Sequence, residues 1–86
     1  MTSLALYHFT QCPFCIKVRK FLEDNSINLP LYNIRKDFKK KEELIEGGGK
    51  PVVPCLRIED QYTYKVTWLY ESNKIIEYLK NNLTFE

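Results

Sequence analysis

The tetrapeptide Cys12-Pro13-Phe14-Cys15 lies two residues after the apolar run Leu4-Ala5-Leu6-Tyr7-His8-Phe9 and opens a stretch patterned as a helix. A strand that feeds a helix through so short a turn leaves few architectures open. It also puts two thiols one turn apart at the helix mouth. Unpaired N–H groups and the partial positive charge of a helix N-terminus stabilise a sulfur there as thiolate, the form that attacks. Cys12 is therefore the candidate nucleophile. Cys15, one turn further in, is expected to be more covered and to resolve a mixed disulfide formed on Cys12. In a small domain, a Cys-x-x-Cys pair at a strand-to-helix turn points to dithiol redox chemistry.

With 86 residues, the chain suits one domain over 1–86 with one modest core. Its formal charge of +2, from 13 basic and 11 acidic residues, creates no large field for drawing in nucleic acid or an anionic membrane. The N-terminus lacks a basic segment followed by a full apolar one, and no apolar stretch approaches the roughly 20 residues of a membrane span. A soluble, cytoplasmic monomer is expected. Three cysteines with a single close pair do not form the disulfide framework of a small secreted domain. Cys12 and Cys15 are expected to cycle between states instead of locking the fold.

The almost uniformly apolar run Leu4–Phe9 suits a central strand buried on both faces. Pro13 sits where a first-turn helix residue loses no hydrogen bond. Phe14, Cys15, Val18, Phe21 and Leu22 form an apolar stripe on a helix ending near Asn25. Leu29–Ile34 reads as a second strand, and Pro30 sends it to a sheet edge because proline donates no ladder bond. The strand–helix–strand order implies a right-handed parallel crossover. Asp37 is a candidate N-cap for a charged helix over Phe38–Glu46, with Leu44 and Ile45 facing inward and Gly47-Gly48-Gly49 as its stop. Cys55–Ile58 and Tyr62–Val66 read as a hairpin joined by Glu59-Asp60-Gln61. Ser72 is a candidate N-cap for a last helix in which Ile75, Ile76 and Leu79 recur up to about Asn82. The expected class is α/β, in the order βαβα then ββα.

Other residues have plainer uses. Cys12 and Cys15 could form half of a zinc site with Cys55 and His8, but strong zinc sites show a second close ligand pair, and none is present. No metal is expected. Cys55 reads as a packed side chain on a buried strand. His8 reads as a satisfied histidine, since thiol exchange by an ionised Cys12 needs no separate base. Trp68 and Leu69, between the hairpin and the last helix, read as a cap on the core edge, with a wall for a protein partner as the alternative. An exposed charge run such as Lys39-Lys40-Lys41 is ordinarily a solvated face.

The dithiol at the first helix, Val53-Pro54 before the third strand and Glu71-Ser72 at the last helix together resemble a glutaredoxin of the thioredoxin fold. Glu71-Ser72 followed by Asn73-Lys74-Ile75-Ile76-Glu77-Tyr78-Leu79 is similar to the thioredoxin-like half of glutathione transferases and of transferase-like glutaredoxins. The resemblance implies a thioredoxin-like four-stranded mixed sheet flanked by three helices, and glutathione as co-substrate. It implies a cis peptide before Pro54, with the Val53 backbone pairing to the cysteinyl unit of glutathione. It also implies that Glu71 and Ser72 hold the γ-glutamyl end and that Phe14 flanks the tripeptide. Two positions depart from the family: Phe9 stands where many glutaredoxins carry a lysine for the glycine carboxylate, and Val52 stands where threonine is usual. Lys50 is the better candidate for that carboxylate, ahead of Lys39-Lys40-Lys41.

The implied activity is a glutathione-dependent thiol–disulfide oxidoreductase acting on glutathionylated or disulfide-containing proteins. An iron–sulfur scaffold bridged by two chains and two glutathiones is a lesser reading, since relatives of that kind carry a small residue at the position of Pro13. A thioredoxin served by a flavoenzyme is another, and the chain lacks the Trp-Cys-Gly-Pro-Cys pattern.

Overall fold

A computed structural model describes residues 2–82. The elements are β1 (Thr2–His8), α1 (Pro13–Asp24), β2 (Leu31–Asn33), α2 (Phe38–Gly48), β3 (Cys55–Asp60), β4 (Val66–Tyr70) and α3 (Ser72–Asn82). They form a thioredoxin-like α/β fold on one four-stranded sheet of order β2-β1-β3-β4. β1 runs parallel to β2 and antiparallel to β3, and β4 is antiparallel to β3.

Successive strand residues point to opposite faces, so the sheet carries two cores. Leu6 and Leu56 pack with Val18 and Leu22 of α1 and with Ile75 and Leu79 of α3. On the other face Ala5, Tyr7 and Cys55 pack with Ile34 and with Leu44 of α2. β1 is central, and β2 is an edge strand. β2 is shorter than the expected 29–34, although pairing continues beyond it. The Leu6 N–H donates to the Pro30 carbonyl at 2.9 Å, and the Ile34 N–H to the His8 carbonyl at 2.9 Å.

Four local expectations are corrected. The glycines do not all stop α2: Gly47 and Gly48 are its last residues, and only Gly49, at φ 94°, makes the left-handed exit. A Cβ on Gly47 would collide with the Trp68 indole and one on Gly48 with the Tyr70 hydroxyl, so these two glycines serve close approach to the sheet. Along the same helix Leu44 is buried as expected, but Ile45 faces outward.

The hairpin also lies later than its apolar pattern implies. The Asp60 carboxylate accepts from the Tyr62 N–H at 2.8 Å and the Thr63 N–H at 3.3 Å, which folds residues 60–63 into a turn. Tyr64 follows at φ 60°. It donates its N–H to the Asp60 carbonyl, and the Asp60 N–H donates to the Lys65 carbonyl at 2.9 Å. Tyr64 and Lys65 thus oppose a single residue as a G1-type bulge. The strand begins at Val66, making Trp68 and Leu69 strand residues, while Tyr62 and Tyr64 are exposed. Phe14 likewise leaves the expected inward stripe of α1 and is 62% exposed, whereas Cys15, Val18 and Leu22 are buried.

Candidate active site

Cys12 is the N-cap of α1, with extended φ −71° and ψ 120°. Its carbonyl accepts from the Ile16 N–H at 2.9 Å, and its own N–H donates to the Phe9 carbonyl at 3.3 Å. Pro13 has no N–H to give, so Phe14 and Cys15 supply the first-turn donors that precede the first intrahelical bond. No side chain caps this end. Cys12 is nearly covered, retaining 7% exposure, while Cys15 and Cys55 retain none.

Burial pushes the Cys15 thiol up to about 12, and its hydrogen bond to Cys12 adds to the effect. Of the two residues Cys12 is the less covered, and burial keeps Cys15 as a thiol beside it. Behind the pair, Arg19 donates from Nη2 to the Thr10 carbonyl at 2.8 Å, and its Nη1 lies 3.2 Å from His8 Nδ1. Burial first, and then the Arg19 charge, lower the His8 pKa, so His8 is a buried neutral partner of arginine.

A groove of about 880 Å³ lies alongside and is lined by the expected Phe14, Lys50, Val53, Pro54, Glu71 and Ser72. These residues come from four separate stretches of chain. The cysteines themselves do not line it; Phe14, which lies between them in sequence, does. The Val53–Pro54 peptide is cis, as the family resemblance implied.

At the far end Glu71 has φ 74°, a conformation that a non-glycine residue holds only when its surroundings impose it. Its carbonyl accepts from the Ile75 N–H at 3.0 Å, so Glu71 occupies the capping position of α3. Ser72 is therefore the first helical residue and not the N-cap expected of it. A hydrogen bond and ion pair with Lys74, at 2.9 Å, lower the pKa of the exposed Glu71 carboxyl.

Lys50 places its ammonium 4.8 Å from the Tyr70 ring centroid, while the Tyr70 hydroxyl donates to the Lys50 carbonyl at 3.0 Å. The Lys39-Lys40-Lys41 run lies outside this groove. Lys40 pairs with Glu43 at 3.2 Å and covers the Tyr32 ring, and Lys41 lines a separate hollow with Phe9, Arg35 and Pro51. Phe9, at the position of the missing family lysine, carries the Arg35 guanidinium 4.1 Å above its ring.

Six further residues line the groove, Val52, Trp68, Leu69, Tyr70, Asn73 and Lys74, none of them among the glutathione contacts expected from the sequence. Lys74 was readable as a partner three residues after Glu71 on a helix. Tyr70 was not, because its place depends on the register of β4. Cys55 is packed under α2, as expected, whereas His8 points to Arg19 on the opposite face, so the two do not join one metal site. Among the described residues, no three His, Cys, Asp or Glu side chains are grouped to hold a metal ion. No helix among them is long and apolar enough to cross a membrane.

The family model for glutaredoxin matches residues 4–63. No curated protein matches the chain. Among solved structures, it is similar to maleylacetoacetate isomerase from Anaeromyxobacter dehalogenans with bound dicarboxyethyl glutathione and citrate. The TM-score is 0.68 at 21% identity, covering 93% of this chain and 36% of that one. The same isomerase with glutathione bound gives a TM-score of 0.69 at 18% identity, over 93% of this chain and 37% of that one. The chain thus spans little more than a third of those enzymes, and the likeness is one of fold. The glutaredoxin match takes in the dithiol turn, the whole parallel crossover and the strand after Pro54, and by it the chain belongs to the glutaredoxin family.

Proposed function

We propose that this chain is a glutathione-dependent thiol–disulfide oxidoreductase working through Cys12 and Cys15. Family membership and fold support glutathione-related thiol chemistry in general. The observation that carries the specific reading is the convergence of Phe14, Val53, Pro54, Glu71 and Ser72 on one groove beside the cap of α1.

In this reading the Val53 backbone pairs with the cysteinyl unit of glutathione. Glu71 receives the γ-glutamyl ammonium, and the first N–H groups of α3 at Ser72 receive the γ-glutamyl carboxylate. Phe14 gives an apolar contact, and Lys50 takes the glycine carboxylate.

The Cys12 thiolate attacks the glutathionyl sulfur of a mixed disulfide. A Cys12–glutathione bond forms as the bond to the substrate sulfur breaks, and the departing sulfur takes the electron pair and then a proton. A second glutathione thiolate attacks the bound glutathionyl sulfur, releasing glutathione disulfide and restoring the Cys12 thiolate. Cys15, held as a thiol by burial, is not needed on this route. For a protein disulfide, the Cys12 thiolate attacks one substrate sulfur and the other departs as a thiolate. Cys15 then gives up its proton, attacks Cys12 Sγ in the mixed disulfide and expels the second substrate thiolate, and two glutathiones reduce the Cys12–Cys15 disulfide and leave as glutathione disulfide.

Turnover with glutathione and glutathione reductase tests the assignment. Cys12→Ser is expected to abolish both activities, and Cys15→Ser to spare reduction of glutathionylated substrates. Loss of both in Cys15→Ser with neither lost in Cys12→Ser would reverse the roles. Reduction by thioredoxin reductase in place of glutathione would overturn the choice of co-substrate.

A further inference from the structure

The two edges of the sheet are built differently. β2 is three residues long, follows Pro30 and leads into the charged stretch Arg35-Lys36-Asp37. Proline, short length and charge are the ordinary devices that stop an edge from pairing with another chain. β4, the opposite edge, is Val66-Thr67-Trp68-Leu69-Tyr70, with neither proline nor charge and high β-propensity throughout.

The hydrogen-bond phase of this edge follows from the bulge that begins it. The bond from the Asp60 N–H to the Lys65 carbonyl makes 60 and 65 a hydrogen-bonded pair. Antiparallel pairs alternate, so Ile58–Thr67 and Leu56–Leu69 are hydrogen-bonded and turn the Thr67 and Leu69 backbones toward β3. The N–H and C=O groups of Val66, Trp68 and Tyr70 therefore point away from the sheet. Among the described residues, no backbone or side-chain partner meets them.

We propose that this edge pairs with β4 of a second copy of the chain, about a two-fold axis at Trp68, extending one sheet through a dimer. This departs from the monomer expected from the sequence. An antiparallel match centred on Trp68 sets Val66 opposite Tyr70 and Trp68 opposite Trp68, so every outward group meets an outward group. No other centre within this strand engages all three residues. Aromatic and β-branched partners face each other across the strands, the favourable type of cross-strand pair. The next residues in register are Lys65 of one copy and Glu71 of the other, opposite charges at both ends of the ladder. A two-fold contact repeats each of these matches, as a closed symmetric dimer requires.

Sedimentation equilibrium of the full chain tests the proposal, with a dimer expected at twice 10.3 kDa. Val66→Pro removes one outward donor and no bond to β3, so it is expected to return the protein to monomer with its circular dichroism unchanged. Lys65→Glu, which sets like charges opposite Glu71, is expected to weaken the dimer, and Lys65→Glu with Glu71→Lys to restore it. The charge swap serves as the test if Val66→Pro does not fold. A wild-type monomer at every concentration would overturn the proposal, as would a dimer indifferent to both Val66→Pro and the charge swap. The readout is mass and not turnover, so either result is separate from the redox assignment.

Discussion

Selective silence of the two inner thiols is the most quantitative consequence of the site. Burial raises Cys15 and Cys55 from an ordinary 9.0 to about 12. Each pKa unit is tenfold in the thiolate fraction, so at pH 8 these sulfurs are ionised about a thousandfold less than an ordinary thiol. Alkylation proceeds through the thiolate, and both residues are fully covered, so access reinforces the electrostatic effect. The perturbation is Cys12→Ser, which removes the one cysteine with residual exposure and leaves burial, the largest cause, in place. Iodoacetamide labelling of the reduced variant, followed by intact mass, is expected to run about a thousandfold below a model thiol at about pH 7 to 8, narrowing to about a hundredfold by about pH 10, where the model thiol is itself mostly ionised. The wild type is expected to take one rapid label, at Cys12. Stability carries the same signature with a definite sign. Thiols whose folded pKa is raised contribute stability that is present below pH 9 and lost as pH rises toward 12. Reduced protein is therefore expected to denature progressively more easily across that window. Rapid labelling of Cys12→Ser below pH 9, or a flat denaturation midpoint from pH 9 to 12, would refute the burial argument.

Two backbone positions give further tests. Gly47→Ala gains about 1 kcal/mol of helix propensity, but its Cβ meets the Trp68 ring, which is held by Tyr7 at 5.3 Å and Arg57 at 5.8 Å. Overpacking of about 1–3 kcal/mol is expected to win, lowering the urea midpoint; a raised midpoint would mean that the indole swings aside freely. Tyr64→Gly is expected to raise stability by about 1 kcal/mol, because a non-glycine residue is strained at φ 60° and the exposed ring has little packing to lose. An unchanged or lower midpoint in thermal unfolding would count against strain at the bulge.

How far the sequence reached follows the range of the forces involved. The strand, dithiol turn and helix were legible because each rests on neighbours in sequence: an apolar run, a proline at the first turn, and thiols one turn apart. Asp37 capped α2 as expected, accepting from the Lys40 N–H at 3.3 Å, and Pro30 marked an edge strand. At the candidate site, the residues named in advance were those in short motifs: Phe14 in the dithiol turn, Val53-Pro54 and Glu71-Ser72. Trp68, Tyr70 and Lys74 belong to no such motif, and they reached the groove through the path of β4 and the start of α3.

What only the tertiary structure decided was set by contacts between distant segments. The apolar alternation over Tyr62–Val66 favoured a strand, but the Asp60 turn and the bulge at Tyr64 moved it to Val66–Tyr70, placing Trp68 over Tyr7. Gly47 and Gly48 read locally as a helix stop, yet they stay helical because the Trp68 and Tyr70 side chains occupy the space a Cβ would need. Local composition determined which elements form and that the first cysteine of the pair stands at the head of α1. The register of the last strand decided which side chains meet across the sheet, because a shift of even one residue turns every side chain to the opposite face.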